Sequence, residues 1–381
     1  MSALPLQTGV FSTGVCLAYL DSWSSLPSAE RPRNFTTLVA LHGTAHNSTV
    51  WEPLLPFLPP SIRLIAYNQR DYKGSSPAFE PKESGGVDAT AQYVVDLAKF
   101  LKFVVEEKGA RKKEEGGVVL LGWSKGTVPL VALLSLLHQN PSFPLPSGSF
   151  ASFLPSTPSS EAGTLPHLSF FTSHLRSIIL FEAPTLALGL PPTPDLLEGL
   201  SPVLPPNTPT PEEFATAFEN YVGGYSDPLP FSSEPPSSAL PPAGPLAYSP
   251  EFRKAVFEPR TMLHSFSWWI GQDDAQSLEV AKRALKPEEE LKVPVGLLYG
   301  GRTLGVLTEA ARAVEGWWKE MEEEGKKVGK KGETRQMTAV RCIPLTNHFV
   351  NVSEPEKFVK AVVELIEELG EGTKAHFSSH L

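Results

Sequence analysis

Val118-Val119-Leu120-Leu121-Gly122-Trp123-Ser124-Lys125-Gly126-Thr127, continued by the apolar stretch Val128 to Leu137, decides how this chain folds. Four aliphatic residues in a row that end at a turn signal read as a strand buried on both faces, and the apolar stretch after the turn reads as a helix. Between them lies G-x-S-x-G, a strand-to-helix turn tight enough to hold its central residue in a strained backbone conformation. Gly122 and Gly126 supply the small residues needed where strand and helix nearly touch. Ser124 is lifted clear of the sheet edge at a helix N-terminus, where backbone N–H groups lack internal partners and can stabilise an oxyanion.

Outward from this turn, a length of 381 residues with 41% hydrophobic content suits one large domain with an insertion, or two domains. The net charge is −9 and no basic face dominates, which speaks against a nucleic-acid partner and against long-range attraction to anionic membrane. Lys326, Lys327, Lys330 and Lys331 sit among glycines between elements and read as a solvated loop. Cys16 and Cys342 lie far apart in strand-like segments, suggesting neither a disulfide scaffold nor a metal cluster and fitting a reducing compartment. The first residues lack a basic region, and Thr8, Gly9, Thr13 and Gly14 interrupt their apolar stretch, so no signal peptide is expected. No run of about 18 apolar residues occurs, so no membrane span is expected either.

The 38 prolines mark where regular elements stop. Strands are expected over Gly14 to Leu20, Thr37 to Leu41, Arg63 to Tyr67, Ser177 to Phe181, Val293 to Tyr299 and Ala339 to Leu345. Helices are expected over Val50 to Leu58, around Val94, Leu97, Leu101 and Val104, and over Thr308 to Glu324 and Pro355 to Leu369. The alternation predicts an α/β fold with a mostly parallel central sheet flanked by helices through right-handed crossovers. Two stretches break it. Residues 141–173 are rich in Ser and Pro and read as an extended surface insertion; residues 185–292 are Pro-rich, with helical pieces around Phe214 to Tyr221 and Phe252 to Ile270. The core is then expected in two parts, 1–184 and 293–381.

A serine hydroxyl is a poor nucleophile near neutral pH, so Ser124 requires a base, and the base requires a group that orients it. His348 is the candidate base, since it follows the last strand in Leu345-Thr346-Asn347-His348-Phe349-Val350 and precedes the last helix. With the Gly122 to Gly126 turn, His42-Gly43-Thr44-Ala45 after a parallel strand, and Asn68-Gln69-Arg70-Asp71-Tyr72-Lys73-Gly74-Ser75-Ser76, the chain resembles the α/β-hydrolase family over most of its length. The resemblance implies that the backbone N–H of Lys125 and that of Thr44, or alternatively Ala45, form an oxyanion hole, and that 185–292 is a cap over the site. It also implies that the His42 side chain braces the turn. The 68–76 stretch departs from the family's D-x-R-G-x-G-x-S in having Asn68 for the acid and Asp71 for the first glycine. The usual acid position, after the first strand beyond the cap, holds Thr303, and Gly300 to Leu307 contains no carboxylate. Glu182, at the end of the preceding strand, is the candidate in its place, with Asp273 and Asp274 in the cap as the alternative; a Glu182 ion pair with Arg302 or another cation is the structural account. Lys125, a cation in the first turn of a helix, opposes the helix dipole, so a carboxylate such as Asp71 or an anionic substrate group should compensate it.

The resemblance therefore implies a serine hydrolase that cleaves an ester or thioester of an apolar acyl group through an acyl-enzyme, with no metal or organic cofactor. A C–C bond hydrolase or lactonase on the same triad, or a ligand-binding relative without turnover, are the alternatives. Trp123, Met262, Phe266 and Trp269 are candidate substrate-binding residues; the last three share a helical face with Ile270, which either lines an acyl pocket or anchors the cap. Ser379-His380-Leu381 resembles the S-K-L type peroxisomal address, so the import receptor is an expected partner and the peroxisome an expected location, with the cytoplasm otherwise. A fluorescent fusion ending in Leu381 should be peroxisomal and should turn cytosolic when one residue is appended; a cytosolic unmodified fusion contradicts the expectation.

Overall fold

The computed structural model describes residues 4–11, 14–77, 89–138, 166, 168–191, 210–224, 249–261, 274–287, 291, 293–327 and 337–377. Its strands are β1 (Gln7–Val10), β2 (Cys16–Asp21), β3 (Thr36–Leu41), β4 (Ile62–Tyr67), β5 (Val118–Trp123), β6 (Leu175–Phe181), β7 (Val295–Gly300) and β8 (Thr338–Ile343). They form one sheet in the order β1-β2-β4-β3-β5-β6-β7-β8. From β4 to β8 every neighbouring pair is parallel; β1 and β2 add an antiparallel edge. In β3, β4 and β5 every residue is buried, as continuous apolar runs require when helices cover both faces.

Alternation along each strand divides the core in two. Val39, Leu41, Ile65, Tyr67, Val118 and Leu120 face one layer, while Leu38, Ala40, Leu64, Ala66, Val119 and Leu121 face the other. The first layer is built from α1 (Ala89–Glu106), α2 (Val128–Leu137), α6 (Asp274–Leu285) and α7 (Gly305–Lys327), through residues such as Leu97, Leu101, Leu130, Ala281 and Val314. The second is built from α9 (Pro355–Phe377) and the 3₁₀ segment Ser48–Phe57, through Phe358, Leu365, Trp51 and Leu54. The remaining helices are α3 (Leu168–His174), α4 (Pro211–Gly224), α5 (Pro250–Val256) and the single turn α8 (Val350–Ser353). No helix among the described residues is long and apolar enough to cross a membrane.

Four local expectations are corrected. Ser48–Phe57 is a 3₁₀ helix, because Pro53 and Pro56 each remove a donor from any α-helical ladder. The edge strand β1 is additional, held by its pairing with β2. The end of the 141–173 insertion is the helix α3, which buries Phe171 against the first core layer. The 185–292 segment is not cap throughout: α6 buries Ala281, Ala284 and Leu285 in the sheet's own core, so core structure resumes at Asp274. Met262, Phe266, Trp269 and Ile270, as well as Asp273 and Ser379-His380-Leu381, lie outside the described residues.

The turn after β5 leaves no room for a side chain at either of its glycines. A Cβ at Gly122 would lie 2.5 Å from the Gly126 carbonyl oxygen, and one at Gly126 would lie 2.7 Å from that of Leu41 and 2.8 Å from that of His42. These obstacles are backbone and cannot rotate aside. Gly126→Ala should therefore lower unfolding stability by about 1–3 kcal/mol or more in urea titrations; an unchanged midpoint would mean that the turn has room for a methyl group.

Candidate active site

β5 and β6 run in register so that Trp123 pairs with Phe181, and Ser124 and Glu182 are the first residues off each strand at the same carboxyl edge. Both sit in the left-handed region, Ser124 at φ 53° and Glu182 at φ 56°. A non-glycine residue there stores strain on the order of 1 kcal/mol or more, which surrounding contacts must offset. Ser124 opens a 3₁₀ turn over Ser124–Thr127, and the Thr127 hydroxyl donates to its carbonyl at 2.6 Å. The Glu182 N–H donates to the Leu298 carbonyl at 2.9 Å, continuing the β6–β7 ladder past the strand end.

The Glu182 carboxylate is buried, and its donors come from β7 and from the loop after β8. Oε1 accepts the Gly300 N–H at 2.6 Å, and Oε2 accepts both the Thr303 hydroxyl and the His348 Nδ1–H, the latter at 3.2 Å. Thr303 occupies the place where the family's acid was expected; it donates to a carboxylate borne by the neighbouring strand. Among the described residues the hydrogen-bond partners of the Glu182 carboxylate are Gly300, Thr303 and His348, and Arg302 is not one of them. Asp274 starts α6 with its side chain exposed. With the Nδ1 proton directed at Glu182, Nε2 carries the imidazole's basic lone pair.

Trp123 is corrected from a substrate contact to a core residue. It is only 1% exposed, packs on Trp51, Phe181, His46 and Phe349, and lies with its ring centroid 5.2 Å from that of His348. Its Nε1–H donates to the His348 carbonyl at 3.1 Å. The residue before the serine thus holds the loop that carries the histidine.

The turn after β3 lies against the serine, since a Cβ on Gly43 would sit 3.2 Å from that of Ser124. The Gly43 carbonyl accepts from His42 Nδ1 at 3.0 Å and from the His46 N–H at 3.4 Å. Because a trans peptide is planar, anchoring that oxygen directs the Thr44 N–H of the same peptide the opposite way. Ala45, the alternative donor, gives its N–H to the Tyr72 hydroxyl at 2.9 Å. His42 is the expected brace: its Nε2 accepts the Gln69 N–H at 3.0 Å while its carbonyl accepts Gln69 Nε2 at 2.9 Å, which fixes one neutral tautomer. Burial lowers its pKa to about 3. His46, absent from the sequence reading, is equally buried; it donates from Nδ1 to the Thr44 carbonyl at 2.7 Å, and burial, with a smaller effect of His348, lowers it to about 3 as well.

The 68–76 loop explains its own departures. Asn68 accepts the Ser48 N–H on Oδ1 at 2.6 Å and donates from Nδ2 to the Lys73 carbonyl at 2.7 Å, a pairing that a carboxylate could not complete. Asp71 keeps the left-handed backbone of a glycine, at φ 71°. Arg70 forms a buried bidentate pair with Asp96 at 2.6 and 3.0 Å. Lys125 is buried with Nζ 4.9 Å from the Tyr93 ring centroid; burial lowers its pKa to about 7, and the charge of Asp71 opposes that shift without cancelling it. Among the described residues, no group of three or more His, Cys, Asp and Glu side chains is placed to hold a metal ion.

A family model described as "Alpha/beta hydrolase family" matches residues 38–361. A sequence search of curated proteins finds no match. Among solved structures, a bromoperoxidase from Bacillus anthracis is similar at 14% identity and TM-score 0.52, covering 95% of this chain and 100% of that one. A haloalkane dehalogenase from Agrobacterium tumefaciens C58 is similar at 13% identity and TM-score 0.53, covering 96% and 98%. An epoxide hydrolase is similar at 12% identity and TM-score 0.54, covering 96% and 99%. At these identities the likeness is one of fold.

The depressed histidines make stability depend on pH. Each is neutral when folded down to about pH 3 but accepts a proton when unfolded below the ordinary histidine value of 6.5. The unfolded state then binds more protons, so stability is full above that value and falls as pH drops. Between pH 4 and 5.5 each histidine should contribute a slope approaching ~1.4 kcal/mol per pH unit. Denaturant unfolding of His42→Asn and His46→Gln should each show a wild-type slope reduced by about that amount; equal slopes would mean that the two rings are not buried neutral.

Proposed function

This chain belongs to the alpha/beta hydrolase family, and we propose that it is a serine hydrolase cleaving an ester or thioester of an apolar acyl group through a covalent acyl-enzyme. Ser124 Oγ attacks the acyl carbon while His348 Nε2 takes its proton, and Glu182 holds the imidazole and offsets the charge it gains. The N–H groups of Lys125 and Thr44 receive the oxyanion. The tetrahedral adduct collapses as His348 returns the proton to the departing alcohol or thiol. Water, deprotonated by the same imidazole, then cleaves the Ser124 ester and releases the acid.

The observation that carries this reading is the Glu182–His348 contact of 3.2 Å at the sheet edge where Ser124 steps off the neighbouring strand. An apolar acyl group is supported by the aromatic character of the segments over the oxyanion turn. Phe257 lies 5.2 Å from His46 and 6.3 Å from Phe218, ring to ring, and Phe214 lies 6.4 Å from Phe218.

A fluorophosphonate probe should label the protein, and Ser124→Ala should abolish the label; a folded, unlabelled wild type would instead indicate a binding protein without turnover. Glu182→Gln should lower kcat by about 10⁴ while leaving residual activity from the oxyanion donors. Near-normal turnover in that variant would remove Glu182 from the site. On p-nitrophenyl esters of graded length, each added methylene that the protein buries should raise affinity about fourfold.

A further inference from the structure

The residues after α5 run antiparallel to the oxyanion turn and are bonded to it. His46 bridges Phe257, the Asn47 N–H donates to the Val256 carbonyl at 2.9 Å, and the Glu258 N–H donates to the Ala45 carbonyl at 2.7 Å. Side chains reinforce the seam. Asn47 Nδ2 donates to the Ala255 carbonyl at 2.9 Å and to Glu258 Oε1 at 2.7 Å, and the Lys73 N–H reaches the same carboxylate, 3.1 Å from Oε2 and 3.3 Å from Oε1. Glu258 therefore ties together the oxyanion turn, the 68–76 loop and the inserted segment.

What it ties down is under strain. Ala45 sits at φ 57°, a conformation that is unfavourable for an alanine and persists only where neighbours impose it. Ala45 is held from both sides, its N–H by the Tyr72 hydroxyl at 2.9 Å and its carbonyl by the Glu258 N–H. Tyr72 belongs to the same loop as Lys73, so the Glu258 carboxylate acts on both holds at once. The next residue toward the sheet is Thr44, whose N–H is the proposed oxyanion donor.

We propose that Glu258 is a positioning residue for oxyanion stabilisation: through Asn47, Lys73 and Ala45 it keeps the Thr44 N–H aimed at the serine, coupling the inserted segment to the catalytic step. This rests on the reading of the chain as a serine hydrolase. Glu258 touches no reacting atom. Its contribution falls on the transition state, where the oxyanion exists, and not on the bound ester.

The test uses the full chain and two alkyl ketones of one length: a trifluoromethyl ketone, which forms a tetrahedral oxyanion adduct with a serine, and the methyl ketone, which serves as its ground-state mimic. Glu258→Ala should lower kcat by about tenfold, part of the 10²–10³ lost when a whole donor is removed, with KM within twofold. It should weaken the trifluoromethyl ketone by the same factor and leave the methyl ketone unchanged. Glu258→Gln, which keeps one acceptor oxygen, should recover most of the loss. Adding Asn47→Ala to Glu258→Ala should cost little more than the worse single change, because both act through one tie. The proposal is overturned if Glu258→Ala or, should that variant not fold, Glu258→Gln with Asn47→Ala keeps wild-type kcat and trifluoromethyl ketone affinity. Equal weakening of both ketones also overturns it, since that would mark a residue of the acyl pocket. If probe labelling survives Ser124→Ala, the serine-hydrolase reading falls first and independently.

Discussion

The close approach of three backbones at the carboxyl edge of the sheet governs the rest of the structure. Gly126 lies against the carbonyls of Leu41 and His42, and Gly122 against the carbonyl of Gly126 itself. That approach brings the turn after β5 onto the turn after β3, so the serine at φ 53° meets the peptide between Gly43 and Thr44. No side chain creates this proximity; it follows from leaving side chains out. Once it exists, Ser124, the turn through Gly43 and the start of the helix after β5 share one small volume.

His348 meets a carboxylate whose burial is compensated one donor at a time. Glu182 accepts from Gly300, Thr303 and His348, so the tips of β6 and β7 and the loop after β8 are joined by one side chain. An uncompensated carboxylate in that position would cost several kcal/mol. The arrangement is therefore stable only when all three elements are in place, which links formation of the site to completion of the sheet. Trp123 adds a fourth link by donating to the carbonyl of His348.

Two buried neutral histidines brace the turn after β3. His42 and His46 both donate into the 43–44 stretch, and neither is in contact with bulk water. Their chemistry at neutral pH is that of fixed dipoles, which need no reorganisation when negative charge develops nearby. The inserted segment then lies on this turn by main-chain hydrogen bonds, so the walls of the site and its electrostatics are one connected structure.

The sequence by itself determined the sheet-and-helix alternation, the serine turn and the histidine loop, because each has a local cause: continuous apolar runs, paired glycines at fixed spacing, and a strand followed by a helix. The departures at Asn68, Asp71 and Thr303 were equally visible there, but only as departures. Tertiary structure alone decided what they mean, since Asn68 works by donating and accepting between distant segments and Thr303 by reaching a carboxylate on another strand. The same holds for Trp123, whose aromatic surface suggested a substrate wall and whose place is the core. His46 and Glu258 carry no local signal at all. A histidine five residues past the strand acquires its role by packing on the rings of Trp123, Phe257 and Phe349, and a glutamate in a proline-rich insertion by hydrogen bonds across long stretches of chain; residue type and spacing do not encode such partners.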